Sequence, residues 1–451
     1  MTLSAEQIRA VITAATAMGK GGGFVFITGK AGTGKSTILR TLRESGLSLV
    51  VCAPTGLAAL NVGGVTLHSQ FGLPMGAAIA DNAKPLDYKK QGVIQAADAV
   101  VIDEVSMVRA DQLDYIDVSL RRTFNPDLPF GGITIIVFGD MWQLEPVAKR
   151  DEWKLHEGSY RSPFWFDAHV FSGSRGLIGD VPPAKIVTVS LEQVFRQAGD
   201  PNLIDALNLI RLGDPAGIPY INDIGAREVP KGEPIPTLCQ TNARAASINR
   251  DELAKLPDES KCFEGELTGD FGKELPAEMN LVLKVGARVM AIKNVNDQDQ
   301  QVRVVNGDIG EVIRFDHRGI PVIQLPDGRV WTANPADWDK KKYEVVKEGG
   351  KKTISEQTVG SFRQIPLKLA WGITVHKSQG QTLHSAVVDF DHQSQTHGQT
   401  YVALSRVRSG DGLYLRRPLR PSDLHVNARV REFVSGDSAA PTEVRFAGLF
   451  A

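Results

Sequence analysis

The stretch Gly29-Lys30-Ala31-Gly32-Thr33-Gly34-Lys35-Ser36 satisfies G-x-x-x-x-G-K-[ST] at every fixed position, and Thr37 follows it. Glycines there let backbone N–H groups face phosphate oxygens, and a helix opening at the loop adds a favourable dipole. Gly29, Ala31, Gly32, Thr33, Gly34 and Thr37 would form the cradle, with Lys35 reaching the β- and γ-phosphates and the Ser36 hydroxyl ligating Mg²⁺. Asp103-Glu104 supplies the second half of this chemistry. Asp103 can hold Mg²⁺ through water, while Glu104 can orient and deprotonate an attacking water. A base for water favours hydrolysis over transfer to a bound acceptor. Gln143 adds a neutral amide able to contact both the γ-phosphate and the water. These residues together describe Mg²⁺-dependent hydrolysis of a nucleoside triphosphate.

Three apolar runs must position them. Phe24-Val25-Phe26-Ile27-Thr28 leads into the loop, Ala99-Val100-Val101-Ile102 into Asp103, and Ile133–Phe138 into Gly139-Asp140-Met141-Trp142-Gln143. Continuous apolar runs of this length are what buried parallel strands look like, and open α/β sheets place ligands beyond the strands' carboxyl ends. The predicted class is therefore α/β. A chain of 451 residues allows two to four domains at roughly 100–200 residues each. Its 51 Lys+Arg against 52 Asp+Glu exclude a supercharged, histone-like nucleic-acid binder, though not a local basic groove. Cys52, Cys239 and Cys262 are scattered, which argues against a zinc site or disulfide framework and suits a reducing cytoplasm. The uncharged stretch Ser45–Ala80 is broken by Pro54, Asn61, His68, Gln70 and Pro74, short of the roughly 18 apolar residues of a membrane span. Glu6 and Arg9 stand where a signal peptide would be apolar, so a soluble cytoplasmic protein is predicted.

The ordered segments FITGKAGTGKST, CAPTGLAALNVGGVTLHS, VIDEVSM, FGDMWQLEPV, LEQVFRQ, AWGITVHKSQGQTL and YVALSRVRS resemble the motifs of superfamily 1B helicases, most closely the Pif family, with RecD-like helicases next. The likeness runs from about Gln7 to Leu419, and Gln112–Arg122 with Pro129-Phe130-Gly131-Gly132 turns it toward Pif. It implies two RecA-like cores with ATP between them: 1–193, then 194–284 with 363–430. It further implies a wedge insertion near 65–98, an SH3-like β insertion over 285–362 and a tail over 431–451. Arg196 and Arg406 become arginine fingers, and Gly380 joins the phosphate contacts. Gln7 becomes the adenine reader, although Ser4-x-x-Gln7 also spells a capping box that needs no ligand.

By the same resemblance, Pro54, Thr55, Thr66, His68, Ser69, Thr241, Asn242, Thr374, His376, Lys377, Ser378 and Gln379 touch single-stranded DNA. Hydroxyls, amides and a His bond phosphates without strong charge, which suits a strand that slides. Phe71 could stack on a base, worth roughly 1–3 kcal/mol, or simply pack in a core. The implied partners are single-stranded DNA, junctions and tailed duplexes, with G-quadruplexes and RNA–DNA hybrids as further candidates; a monomer moving 5′-to-3′ is the implied working form. Positive charge is local: Tyr401–Pro421 holds Arg406, Arg408, Arg416, Arg417 and Arg420 against Asp411 alone.

Two positions depart from the family pattern. Glu145 follows Leu144 where Pro is usual, placing a carboxylate near the expected strand path, and Gly372 replaces a usual Ala, which would loosen a helix start. The six lysines between Asp339 and Lys352 read either as a duplex-facing surface or as a solvated loop. The aromatics from Trp153 to Phe171 read as a second-layer core or a stacking platform. Three other function classes fit parts of the sequence: an ATP-driven switch or adaptor, a small-molecule kinase and a passive single-strand binder. Stimulation of hydrolysis by DNA separates the helicase from the switch, phosphate transfer to a metabolite would mark the kinase, and DNA binding unchanged by Lys35→Ala would mark the passive binder.

Overall fold

The computed structural model describes residues 3–436 and 442–443, except 21, 75, 157, 173–181, 231–232, 234, 272–274, 298–301, 305, 349–350 and 391–395. A parallel seven-stranded sheet runs in the order Thr442–Glu443, Ile186–Leu191, Gly23–Gly29, Thr134–Gly139, Ala99–Ile102, Leu49–Ala53, Val65–Thr66. Its central strands are buried on both faces, which is why they read as unbroken apolar runs. Thr28 stands beside Gly139, and Ile102 beside Val137. The loop after each of these strands therefore opens from one edge of the sheet.

A second parallel sheet has the order Gly372–Thr374, Thr237–Cys239, Ala386–Asp389, Leu413–Leu415. Leu203, Leu207 and Ile210 of the helix Pro201–Leu212 pack with its Leu238, Ile373, Val388 and Leu413. Gly372 opens a strand rather than a helix. A Cβ there would fall 2.9 Å from the Ala245 carbonyl oxygen, so close packing against the helix Asn242–Lys255 calls for the glycine. The expected loosening of a helix start is thus replaced by a packing role.

Between the parts of the second sheet lies antiparallel structure that begins at Lys261, well before the expected 285. Those early strands are short and largely exposed, so they carry no apolar run for sequence reading to find. A five-stranded sheet spans Arg288–Ala291 to Leu367–Leu369, with a turn at Asp327-Gly328, where Gly328 has φ 85°. A hairpin, Ala336–Glu348 with Lys351–Gln364, extends from it and pairs with Glu266–Gly269. The side chains of Lys341, Lys342, Lys347, Lys351 and Lys352 lie outside the described residues.

Residues 431–435, expected in a tail, complete the helix Ala428–Ser435. Its Val430 and Phe433 are buried in the core of the first sheet, where Phe433 stacks on Phe166 at 4.0 Å between ring centroids. The aromatics Phe164, Trp165 and Phe166 belong to that same core. Asp117, on the buried helix Ala110–Thr123, accepts the Phe130 N–H, holding Phe130 at φ 52°, and lies 3.6 Å from Arg121. Removing one member of a buried pair costs about 3 kcal/mol or more. Asp117→Ala is therefore expected to lower stability by about 3 kcal/mol in urea unfolding.

Candidate active site and nucleic-acid face

The phosphate loop is shaped by two left-handed glycines, Gly32 and Gly34, each at φ 84°. A Cβ on Gly32 would lie 2.4 Å from the Arg196 Cβ, and one on Gly34 2.3 Å from Gln7 Nε2. Both therefore answer to backbone geometry and to close approach at once. Lys35 heads the helix Lys35–Glu44, and its Nζ donates to the carbonyls of Gly29 at 2.6 Å and Lys30 at 3.1 Å. Burial pushes its pKa down, against Asp140, Glu104 and Asp103, which favour the charge. Thr33 Oγ1 donates back to the Lys30 carbonyl at 3.0 Å, bracing the loop, while Ser36 and Thr37 stand in the helix's first turn. Gln7 forms the capping box that its spacing from Ser4 spells. Its Oε1 accepts the Ser4 N–H at 3.1 Å in a capping box, and its Nε2 donates to the Thr33 carbonyl at 3.2 Å.

Asp103 and Glu104 follow the strand Ala99–Ile102 directly. Glu104 takes φ 52°, a left-handed conformation that costs a non-glycine residue about 1 kcal/mol or more. Burial and the neighbouring Glu104 push the Asp103 carboxyl up to about 7. Burial also raises Glu104, opposed by Lys35, Arg406 and a hydrogen bond from Gln379. Two adjacent half-buried carboxylates that resist ionising are a set that a divalent cation would satisfy, so Asp103 and Ser36 fit Mg²⁺. Because the folded-state pKa of Asp103 is raised, its proton must leave when the cation arrives. Binding of Mg²⁺·ADP at pH 7 is expected to release protons and to weaken as pH falls below about 7. Calorimetry in buffers of different ionisation enthalpy reads this release directly.

The second sheet reaches into this site. Arg196 lies across Gly32 and donates to the Ser405 carbonyl at 3.2 Å, while the Phe195 N–H bonds the Gly32 carbonyl at 2.9 Å. Arg406 is 1% exposed, and its Nε donates to the Val402 carbonyl at 2.7 Å. Burial and the neighbouring Arg196 push its pKa down to about 9, while Glu104 and Asp140 support its charge. Gln379, expected on DNA, instead directs its amide into this site, donating to Glu104 Oε2 at 3.1 Å and Gln143 Oε1 at 3.5 Å. Gly380, at φ 76°, follows it.

Sequence reading passed over three residues here. Asp140 accepts from the Trp142 N–H and from Gln143 Nε2. Tyr401 Oη accepts the Ala31 N–H at 3.1 Å, and Arg211 pairs with Asp140 at 2.7 Å. Asp140 and Tyr401 stand inside recognised segments and could have been singled out; Arg211 is one arginine on an amphipathic helix and carries no signal of its own.

Among the residues expected to meet DNA, Pro54-Thr55 follows Leu49–Ala53, Thr66 ends Val65–Thr66, and Thr241 and His376 lie just past the ends of adjacent strands in the second sheet. Thr55, Thr66 and Thr241 each cap a helix, accepting from Ala58, Ser69 and Arg244 N–H groups. Asn242 and Lys377 are exposed, and His68, Ser69 and His376 are half-buried. Three expected contacts are turned inward. Phe71 is 3% exposed within the apolar core and cannot stack on a base there. Thr374 is buried, its Oγ1 accepting the Lys377 N–H, and the buried Ser378 Oγ donates to the Val375 carbonyl. Glu145 also leaves the expected path: it accepts the His397 N–H and bonds the Asn427 side chain. Two arginines of the arginine-rich segment are ion-paired, Arg416 with Asp389 at 3.0 Å and Arg417 with Asp423 at 2.7 Å.

Fold and site together define a protein of the P-loop class. The family model for PIF1-like helicases matches residues 2–172. The ATP-dependent DNA helicase PIF1 of Rattus norvegicus is 33% identical over 424 residues, covering 91% of this chain and 61% of that protein. The Pif1 helicase of Psychrobacter sp. is 30% identical, covering 88% of this chain and 66% of that protein. Bacteroides sp Pif1 in complex with ADP-AlF4 superimposes with a TM-score of 0.83 at 31% identity, covering 97% of this chain and 98% of the other. Bacteroides Pif1 bound to single-stranded DNA gives 0.67 at 32% identity with the same coverage. This chain belongs to the PIF1-like helicase family. It spans less than two thirds of the length of these curated relatives. Among the described residues no helix is long and apolar enough to cross a membrane.

Proposed function

We propose that the chain is an ATP-dependent DNA helicase that tracks along single-stranded DNA, 5′-to-3′, and opens duplex ahead of it. In this reading the two parallel sheets are RecA-like cores, the antiparallel region is an SH3-like insertion, and part of 65–98 is the wedge. The observation that carries the proposal is one loop. On it Lys377 is exposed and His376 half-buried, while Gln379, two residues beyond Lys377, bonds the base Glu104 and the amide Gln143. The Ser378 and Gln381 carbonyls of the same loop each accept from Arg406 at 3.4 Å. A strand bound at His376 and Lys377 would therefore act on the base and a finger through a few covalent bonds.

In the mechanism, Glu104 takes a proton from the attacking water, whose position Gln143 fixes. Arg196 and Arg406 offset charge developing on the transferred phosphoryl group, and such residues contribute roughly 10³–10⁵ in rate in related hydrolases. Bound Mg²⁺ would supply charge neutralisation on the phosphate oxygens. Lys35, held by the Gly29 and Lys30 carbonyls, must swing from them to the phosphates. Both fingers belong to the side of the second sheet, so hydrolysis requires the cores together, and loss of phosphate lets them part. Thr55, Thr66 and Thr241 sit at helix N-termini, where neighbouring backbone N–H groups can hold a phosphate without a strong charge. Weak grips of this kind suit a motor that releases DNA every cycle. ATP hydrolysis measured with and without single-stranded DNA tests the reading: a steep rise is expected, and a rate indifferent to DNA would favour a switch or kinase.

A further inference from the structure

Arg211 reaches across this seam to the opposite sheet. It sits at the end of the helix Pro201–Leu212, packed on the second sheet, yet its Nη2 lies 2.7 Å from Oδ1 of Asp140, which follows Gly139 of the first. The carboxylate is fully buried and the guanidinium nearly so, with side-chain exposures of 0% and 14%. The guanidinium lies 5.6 Å from the Trp142 ring centroid and 6.0 Å from that of Tyr401. Its buried Nε has no hydrogen-bond partner among the described residues. Asp140 spends its remaining capacity on the loop that carries the water-orienting amide, accepting from the Trp142 N–H at 3.2 Å and from Gln143 Nε2 at 3.4 Å. Tyr401, on the guanidinium's other side, accepts the Ala31 N–H of the phosphate loop.

A buried ion pair is a weak source of stability, because desolvation offsets most of its attraction. What it supplies is direction. Arg406 donates to Val402, Ser378 and Gln381 carbonyls on its own side of the seam and keeps its orientation when the cores part. Arg211 has no such anchor in its hydrogen bonds. Its pair with Asp140 exists only while the cores are together, and with it goes one of the constraints on Gln143.

We propose that Arg211 is a positioning residue for hydrolysis: by pairing with Asp140 across the closed cores, it sets the Gln143 amide where the attacking water needs it. This rests on the reading of the chain as an ATP-hydrolysing motor. Closure would then assemble the water-orienting group as well as deliver the two fingers, so an open enzyme is protected twice against idle turnover.

The test compares Arg211→Met, which keeps the length and the contact with both rings, with Arg211→Lys and Asp140→Asn. Steady-state hydrolysis with saturating oligo-dT, binding of a fluorescent ADP and thermal melting are measured on each. Arg211→Met and Asp140→Asn are each expected to lower kcat by about 30-fold or more, with KM and ADP affinity within about 3-fold. Arg211→Lys should recover part of the loss, and the double variant should be no worse than the worse single, since both remove one constraint. A kcat per folded molecule within about 3-fold of wild type in Arg211→Met and Arg211→Lys would overturn the proposal, as would fully additive losses in the double variant. The wild type in the same assay judges the motor reading separately: a wild type that hydrolyses ATP without DNA stimulation counts against the motor, while the variants still report on the pair.

Discussion

Glu104→Gln is expected to bind ATP and DNA with near-normal affinity while kcat falls by about 10³-fold, within the range by which a general base contributes. The substitution is close to isosteric, and an amide can still present an oxygen to the Gln379 Nε2 that now donates to the carboxylate at 3.1 Å. The fold should not suffer. Burial raises the pKa of Glu104, so its ionised form carries a cost at neutral pH that a neutral side chain avoids. A melting temperature equal to or above wild type is therefore expected alongside the lost turnover. Near-normal hydrolysis would remove Glu104 from the role of base, and a large loss of stability would contradict the electrostatic account of its burial.

Arg406→Ala should lower turnover by about 10³-fold or more while DNA affinity stays within about threefold. The guanidinium is 1% exposed, supported electrostatically by Glu104 and Asp140 and crowded by Arg196. That setting suits a cation matched to incoming phosphate charge. His376 and Lys377, proposed above to meet the strand, do not depend on it alone, because Thr374 Oγ1 already accepts the Lys377 N–H at 3.3 Å. Arg406→Lys should not restore turnover fully, since an ammonium cannot reproduce a planar fork of donors. Normal hydrolysis with weakened DNA binding would reassign the residue to the strand.

The candidate site was legible because parallel strands buried on both faces leave continuous apolar runs, and each run here ends beside a candidate residue of that site. The run Ala99–Ile102 is the observed strand, and Asp103 follows it at once. Ile133–Phe138 differs from the observed Thr134–Gly139 by one residue. The strand-facing side was harder to read. A threonine after a strand can serve a phosphate or a helix cap, and Thr55, Thr66 and Thr241 are committed to caps. Phe71 and Ser378 show the same ambiguity, since burial depends on neighbours distant in sequence. Arg211 marks the limit of the method: its meaning comes from Asp140, 71 residues away, and from nothing local. The arginines of 401–421 likewise looked like a basic patch until Asp389 and Asp423 were seen to pair with two of them.

The balanced charge of 51 basic and 52 acidic residues thus reflects a chain in which many arginines serve internal geometry. Binding of DNA should depend less steeply on salt than for a binder that neutralises many phosphates. The central claim is movement along one strand coupled to hydrolysis. The most direct test is unwinding of a duplex bearing a single-stranded 5′ tail, followed in real time with Mg²⁺ and ATP, beside the same duplex with a 3′ tail. Strand separation on the 5′-tailed duplex alone, abolished by Glu104→Gln, is the predicted result. ATP hydrolysis stimulated by the tail with no separation of either duplex would contradict the account.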